Sequence, residues 1–412
     1  MKQKLKDLFN GKDAKVLLEN FISLSSLKLI GLILPLITLP YVLRVLGLEN
    51  YGAIVFAASL IAYFSALTDF SFKYTATRDV AIFRNSPKKL NLIYSKVIII
   101  KALFLSLSFL IITIVVYSYQ PFYDNKLIYI LTAPMLLGQA LFPDWFFQGI
   151  EKMKYITFLN IGIKLFFTIC IFIFIREKSD YWIYPLLQSA GFIGAGIVGQ
   201  FILMKKYKLK FLWLKPRILK QTIKSNTPIF INQFTPTLYN NTSTFLLGIL
   251  TNNTNVGIYN AIKTVIGLCI SLIEILSRVF FPFLNRKKEA FKKYKKMMLI
   301  VSVGLTILSL VSYELVFWYL NIKEDNAFMV VAILASGLMG STLYNIFGIN
   351  YFIIKRQDKL VMNNTIKSSI LGFVLAFPLI YYFGIIGAAI NLSLARWMMG
   401  GGLYLKYKKQ TK

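Results

Sequence analysis

The chain has 412 residues, of which 57% are hydrophobic and only 16% charged. Soluble domains run at about 45–50% apolar and roughly 25% charged, so this composition excludes a water-soluble protein and predicts an integral membrane one. The 47 Lys and Arg against 17 Asp and Glu give +30, and the lack of any His excludes His-dependent catalysis and His metal sites.

Cys170 and Cys269 lie singly in apolar runs, form no CxxC pair, and read as packing residues rather than as a disulfide scaffold. No cofactor and no metal is expected.

A membrane-crossing helix needs about 20 apolar residues. Twelve candidates follow in chain order, at roughly 17–40, 50–72, 91–118, 127–149, 156–175, 182–204, 227–250, 256–283, 298–320, 327–354, 362–383 and 385–405. The first is too long for a cleaved signal, contains Lys28 and lacks a small-residue cleavage site. Connections are short. The longest, at 205–226, divides the chain into a six-helix bundle at 1–204, a cytoplasmic linker, and a second six-helix bundle at 227–412. The predicted fold is all-α, with about twelve transmembrane helices in two bundles related by an internal repeat.

If the N-terminus is inside, 34 of the 47 cations fall on inner segments and five on outer ones. Positively charged loops stay on the cytoplasmic side, so both termini are expected there. Most of the +30 is therefore a topology signal, and no nucleic-acid partner is expected.

The repeat is faint. Asn50-Tyr51-Gly52 and Asn255-Val256-Gly257 align at an offset of 205, which also places Asp69 on Glu274 and Lys73 on Arg278. An acid followed four residues later by a base thus recurs at the inner ends of spans 2 and 8. Duplicated bundles are a common transporter architecture, with the substrate held between the halves.

Eight cations remain inside spans: Lys28, Lys96, Lys101, Lys164, Lys263, Arg278, Lys367 and Arg396. Each costs about 2.5–3.5 kcal/mol at a helix centre. Those near inner ends (Lys96, Arg278, Lys367) can snorkel to the interface. Lys28, Lys101, Lys164 and Arg396 lie deeper and point to a wet lumen.

Helical spacing agrees. Asn260, Lys263, Gly267, Ser271, Glu274 and Arg278 form one stripe, Thr157, Asn160, Lys164 and Thr168 another, and Gln233 begins a polar face on span 7. Plain helix packing explains the small residues but not the lysines.

A lumen richer in cations than acids suits an anion, phosphate above all, with Asn, Gln, Thr and Tyr for sugar hydroxyls. Lys28, Lys101, Lys164, Lys263, Lys367 and Arg396, with Asn160, Gln233 and Asn260, are the candidate substrate-binding residues. The few acids, Asp69, Glu274 and Glu314, read either as charge partners or as an ion-coupling relay. No catalytic constellation is seen.

Three segments carry a family resemblance: NFISLSSLKLIGLILPLITLPYVLRVLGLENYGAIVFAASLIAYF at the start, TRDVAIFRN at Thr77–Asn85, and PDWFFQGIEKMKYIT at Pro143–Thr157. They resemble the Wzx-type O-antigen and polysaccharide flippases of the multidrug/oligosaccharidyl-lipid/polysaccharide exporter superfamily. That resemblance implies a non-enzymatic transporter in the bacterial inner membrane. It would move undecaprenyl-pyrophosphate-linked oligosaccharides across the bilayer by alternating access, for lipopolysaccharide O-antigen or capsule. It also places Lys28 among the lumen cations and makes other polysaccharide-assembly membrane proteins expected partners.

The rivals are three. A multidrug exporter should have an acidic lumen, a lipid II flippase usually has about two more spans, and a polysaccharide polymerase carries a large outer loop.

Overall fold

The structure is a computed structural model whose described backbone covers residues 12–324 and 327–411, with side chains described from Ile30 onward and at Leu27. Among those residues the chain is helical, without strands. Among the described residues, nine helical segments are long and apolar enough to cross a membrane.

Two of the nine contain two spans each. Helix α1 (Lys12–Asp69) breaks at Gly47, whose φ of 80° is open to glycine but strained for other residues. The last helix, Asp358–Gln410, breaks in the same way at Gly384 (φ 53°). A further helix, Pro216–Leu250, is 35 residues long but diluted by Gln233, Thr235, Thr237, Asn240, Asn241 and Thr242. These together give the twelve expected spans.

Packing gathers the chain into two compact units. One comprises the residues up to Thr38 together with Ile61–Ile231, the other Leu39–Leu60 together with Asn232 onward.

In the first unit, α1 ends where Phe70 and Ser71 both take left-handed backbone angles (φ 43° and 61°). Such angles are costly for non-glycine residues and persist only where packing imposes them. Phe70 is clamped between Phe104 and Phe230, with ring centroids at 4.7 and 4.8 Å. After this turn come α2 (Phe72–Phe83) and α3 (Pro87–Ser118).

The fourth span is built from three pieces, α4 (Lys126–Thr132), α5 (Met135–Leu141) and α6 (Asp144–Gly149). The break at Phe142–Pro143 frees the Leu141 carbonyl, which accepts from Gln200 Nε2, while Tyr94 donates to Gln200 Oε1 at 2.9 Å. Buried backbone in a bilayer needs such substitutes. Helices α7 (Met153–Phe174) and α8 (Ile183–Lys205) follow.

The two loop motifs of the sequence meet here. Trp145, Phe146 and Phe147 of α6 are fully buried in the unit's core beside Val80 of α2, and Thr77 Oγ1 donates to the Trp145 carbonyl at 3.1 Å.

The second unit holds the C-terminal part of α9 (Pro216–Leu250), α10 (Asn253–Arg286), α11 (Phe291–Val311), α12 (Tyr313–Leu320), α13 (Ala327–Leu343) and α14 (Asp358–Gln410). A π-helical stretch, Tyr344–Ile353, continues α13. Its Asn350 donates to Ser277 Oγ and Tyr294 OH, each at 2.7 Å.

The segment Leu39–Leu60 crosses α10 at glycine. A Cβ on Gly52 would overlap the Asn253 carbonyl, and one on Gly257 would overlap the Leu48 carbonyl. The two contacts are reciprocal: each glycine seats on the carbonyl four residues before the other. Only a bare backbone allows two helices so near.

Candidate functional site

The first unit concentrates charge around one turn. Lys101 on α3 is buried to 3% side-chain exposure, and its Nζ lies 3.1 Å from Asp69 Oδ1. The sequence reading gave Asp69 a partner in Lys73, four residues on. The left-handed pair Phe70–Ser71 interrupts the helix between them, so the i,i+4 geometry does not exist and Lys101 takes that place. In α10, where the helix runs unbroken, the equivalent pair does form, with Arg278 Nη2 at 4.0 Å from Glu274 Oε2.

Asp144, at the start of α6, lies within electrostatic reach of Lys101, Asp69 and Lys73. A cavity of about 270 Å³ opens onto Ser65, Asp69, Lys73, Gln139, Asp144 and Asn160. Two bases thus face two acids, and the cluster is electrically balanced. Lys164 lies off this cluster, its ammonium against Gly31, where an added Cβ would stand 2.7 Å from Nζ.

The second unit is arranged differently. Lys263 on α10 donates to the Asn240 carbonyl at 2.7 Å and to Thr244 Oγ1 at 3.3 Å, with its ammonium 5.7 Å from the Tyr259 ring centroid. Arg396 on α14 lies within electrostatic reach of Lys263, Tyr239 and Tyr259. Its Nη1 is buried without a hydrogen-bond partner. Among the described residues no ion pair joins Lys263 or Arg396 to a carboxylate. Two half-buried cations thus lie within electrostatic reach of each other, with Glu274 acting on the same Tyr239 but in no ion pair with either among the described residues.

The remaining candidates scatter. Asn260 donates to Tyr51 OH at 2.7 Å, which makes it a packing partner of the crossing helix. Gln233 and Lys367 are exposed. Glu314, expected within a span, is exposed in the first turn of α12, where it accepts from Tyr313 OH at 3.0 Å, because the ninth span breaks at Ser312. The Lys28 side chain lies outside the described residues. Both cysteines are free.

Tyrosine is expected around the lumen as a residue type, but nothing in the spacing singles out Tyr239 and Tyr259, since aromatics in apolar helices look like packing. Asp144 enters the sequence analysis only as part of the PDWFFQGIEKMKYIT motif.

Residues 17–288 match the family described as "Polysaccharide biosynthesis protein". The chain belongs to that family. A curated relative from Escherichia coli (strain K12), named as a candidate O-antigen transporter, is 28% identical over 92% of this chain and 94% of its own. A relative of the same description from Shigella dysenteriae is 23% identical over 87% and 91%.

Among solved structures, an inward-facing multidrug resistance MATE family transporter of the MOP superfamily aligns at TM-score 0.68 and 11% identity, covering 92% of this chain and 94% of that one. The lipid II flippase MurJ, in an inward closed conformation, aligns at 0.66 and 13%, covering 95% and 87%. These likenesses give the fold. The resemblance read from the sequence stands: this member of the polysaccharide biosynthesis family is a multi-pass membrane transporter with this superfamily's fold, not an enzyme.

Proposed function

We propose that the protein is a flippase that carries undecaprenyl-pyrophosphate-linked oligosaccharide units across the bacterial inner membrane by alternating access, with both termini cytoplasmic, for O-antigen or capsule. The observation that carries this reading is Arg396, whose buried Nη1 lacks a partner beside the equally unbalanced Lys263. Uncompensated buried cations are costly and mark substrate pathways in membrane proteins. A pyrophosphate supplies the missing negative charge and several acceptor oxygens for the guanidinium fork. The Tyr239 hydroxyl, with Thr244, suits sugar or phosphate oxygens, while the Tyr259 hydroxyl is committed to the Ala388 carbonyl at 3.4 Å. The names of the curated relatives point the same way. A multidrug exporter of organic cations is disfavoured, since Lys263 and Arg396 would repel its cargo.

The test uses a strain lacking the gene and leaflet-specific labelling of the lipid-linked sugar. Build-up on the cytoplasmic face, relieved by the wild-type gene but not by Arg396→Gln or Lys28→Ala, is the expected result. Unpolymerised units already on the outer face of the deletion strain would overturn it in favour of a polymerase.

A further inference from the structure

A second basic feature lies at the far end of α10, 23 residues beyond Lys263, or about 35 Å along the helix axis. There Arg286 ends the helix, Lys287 leaves helical geometry, and a 3₁₀ turn at Lys288–Ala290 leads into α11. The junction encloses a groove of about 920 Å³. Its rim carries Arg286, Lys287, Lys288 and Lys293 against one acid, Glu289. All five are exposed, and among the described residues no ion pair neutralises any of them.

The wall below is aromatic. Phe280 contacts Tyr294 at 5.4 Å and Phe283 at 6.4 Å between centroids, and Phe283 remains 38% exposed. Phe283 and Phe280 stand one and two turns up α10 from the basic rim, that is, deeper toward the apolar part of the helix.

We propose that this groove binds an anionic phospholipid of the leaflet facing the basic loops. Its phosphodiester would sit among Arg286, Lys287, Lys288 and Lys293, and its acyl stem along Phe280 and Phe283. Charge decides the ligand class: four unneutralised cations around one cavity favour a negative headgroup over a zwitterionic one. The layered polarity decides its form. A soluble phosphate would leave the aromatic wall bare, whereas a lipid presents charge and hydrocarbon in the order that the groove does. Basic pockets at the cytoplasmic ends of membrane helices bind such headgroups. The site is distinct from the proposed substrate cations and does not depend on them.

The experiment is native mass spectrometry of the full-length protein in mixed phosphatidylglycerol and phosphatidylcholine. Wild type should retain phosphatidylglycerol. The variant K287Q/K288Q/K293Q should lose about a hundredfold in affinity, at about fivefold per cation near an anionic headgroup. A control, K208Q/K210Q/K215Q, removes the same charge from exposed positions elsewhere and should bind as wild type does. Three results would overturn the proposal. One is equal loss in the control; another is equal retention of phosphatidylcholine. The third is displacement of phosphatidylglycerol by an equimolar polyprenyl pyrophosphate, which would assign the groove to the transported lipid.

Discussion

Lys101, buried, and Arg396, half-buried, are both cations on membrane helices, and their surroundings differ in kind. Lys101 has an acid at 3.1 Å and a second within electrostatic reach, so its charge is answered inside the protein. Arg396 has two tyrosines, a lysine and an unpartnered Nη1. A balanced cluster holds the fold together. On the proposed function, an unbalanced one waits for a ligand, and its cost is recovered only when that ligand arrives.

Substitution separates the two. Arg396→Gln should lower flux of the lipid-linked sugar about a hundredfold, the loss of roughly 3 kcal/mol from a charge-assisted contact. Its unfolding midpoint in detergent should stay level or rise, because no native partner is orphaned. A clear fall in stability would mean that Arg396 is structural. Lys101→Met should do the reverse, destabilising by about 2–3 kcal/mol as Asp69 is left unpaired. The second change Asp69→Leu should restore the midpoint; failure to restore it would show that the pair is not the source.

Lys263→Met is expected to cost transport about tenfold, since Arg396 remains and the Asn240 carbonyl and Thr244 keep other options. That is measured by the same leaflet labelling. Smallest of all, Gln233→Ala, Lys367→Gln and Glu314→Gln should each leave flux within about twofold, as exposed polar positions do. A larger effect at any of them would place it on the substrate path.

The spans were legible because a bilayer demands long apolar runs, and even the boundary at Gly384 falls between two expected segments. The charge partners were not. Asp69 and Lys73 look like a helical pair on paper, yet Phe70, gripped by Phe104 and Phe230, bends the chain between them. Asp69 therefore finds a base 32 residues away, a contact no periodicity records. Lys101 and Arg396 are equally anomalous in sequence. Only the neighbouring helices reveal that one is answered and the other is not. Tyr239 and Tyr259 were hidden because a tyrosine that faces a charge and one that fills a core share the same spacing.

The reciprocal seat of Gly52 on the Asn253 carbonyl and Gly257 on that of Leu48 also has a bearing on biosynthesis. Leu39–Leu60 leave the ribosome early, but the helix they cross follows roughly 200 residues later. At about 5–20 residues per second, that is a delay on the order of 10–40 s. Throughout that interval the glycine notch at Gly52 faces lipid or an insertion factor. A segment made this early waits long to find its permanent neighbour. Slowed translation or a lengthened linker would therefore prolong the exposure of this notch while leaving every later helix free to insert.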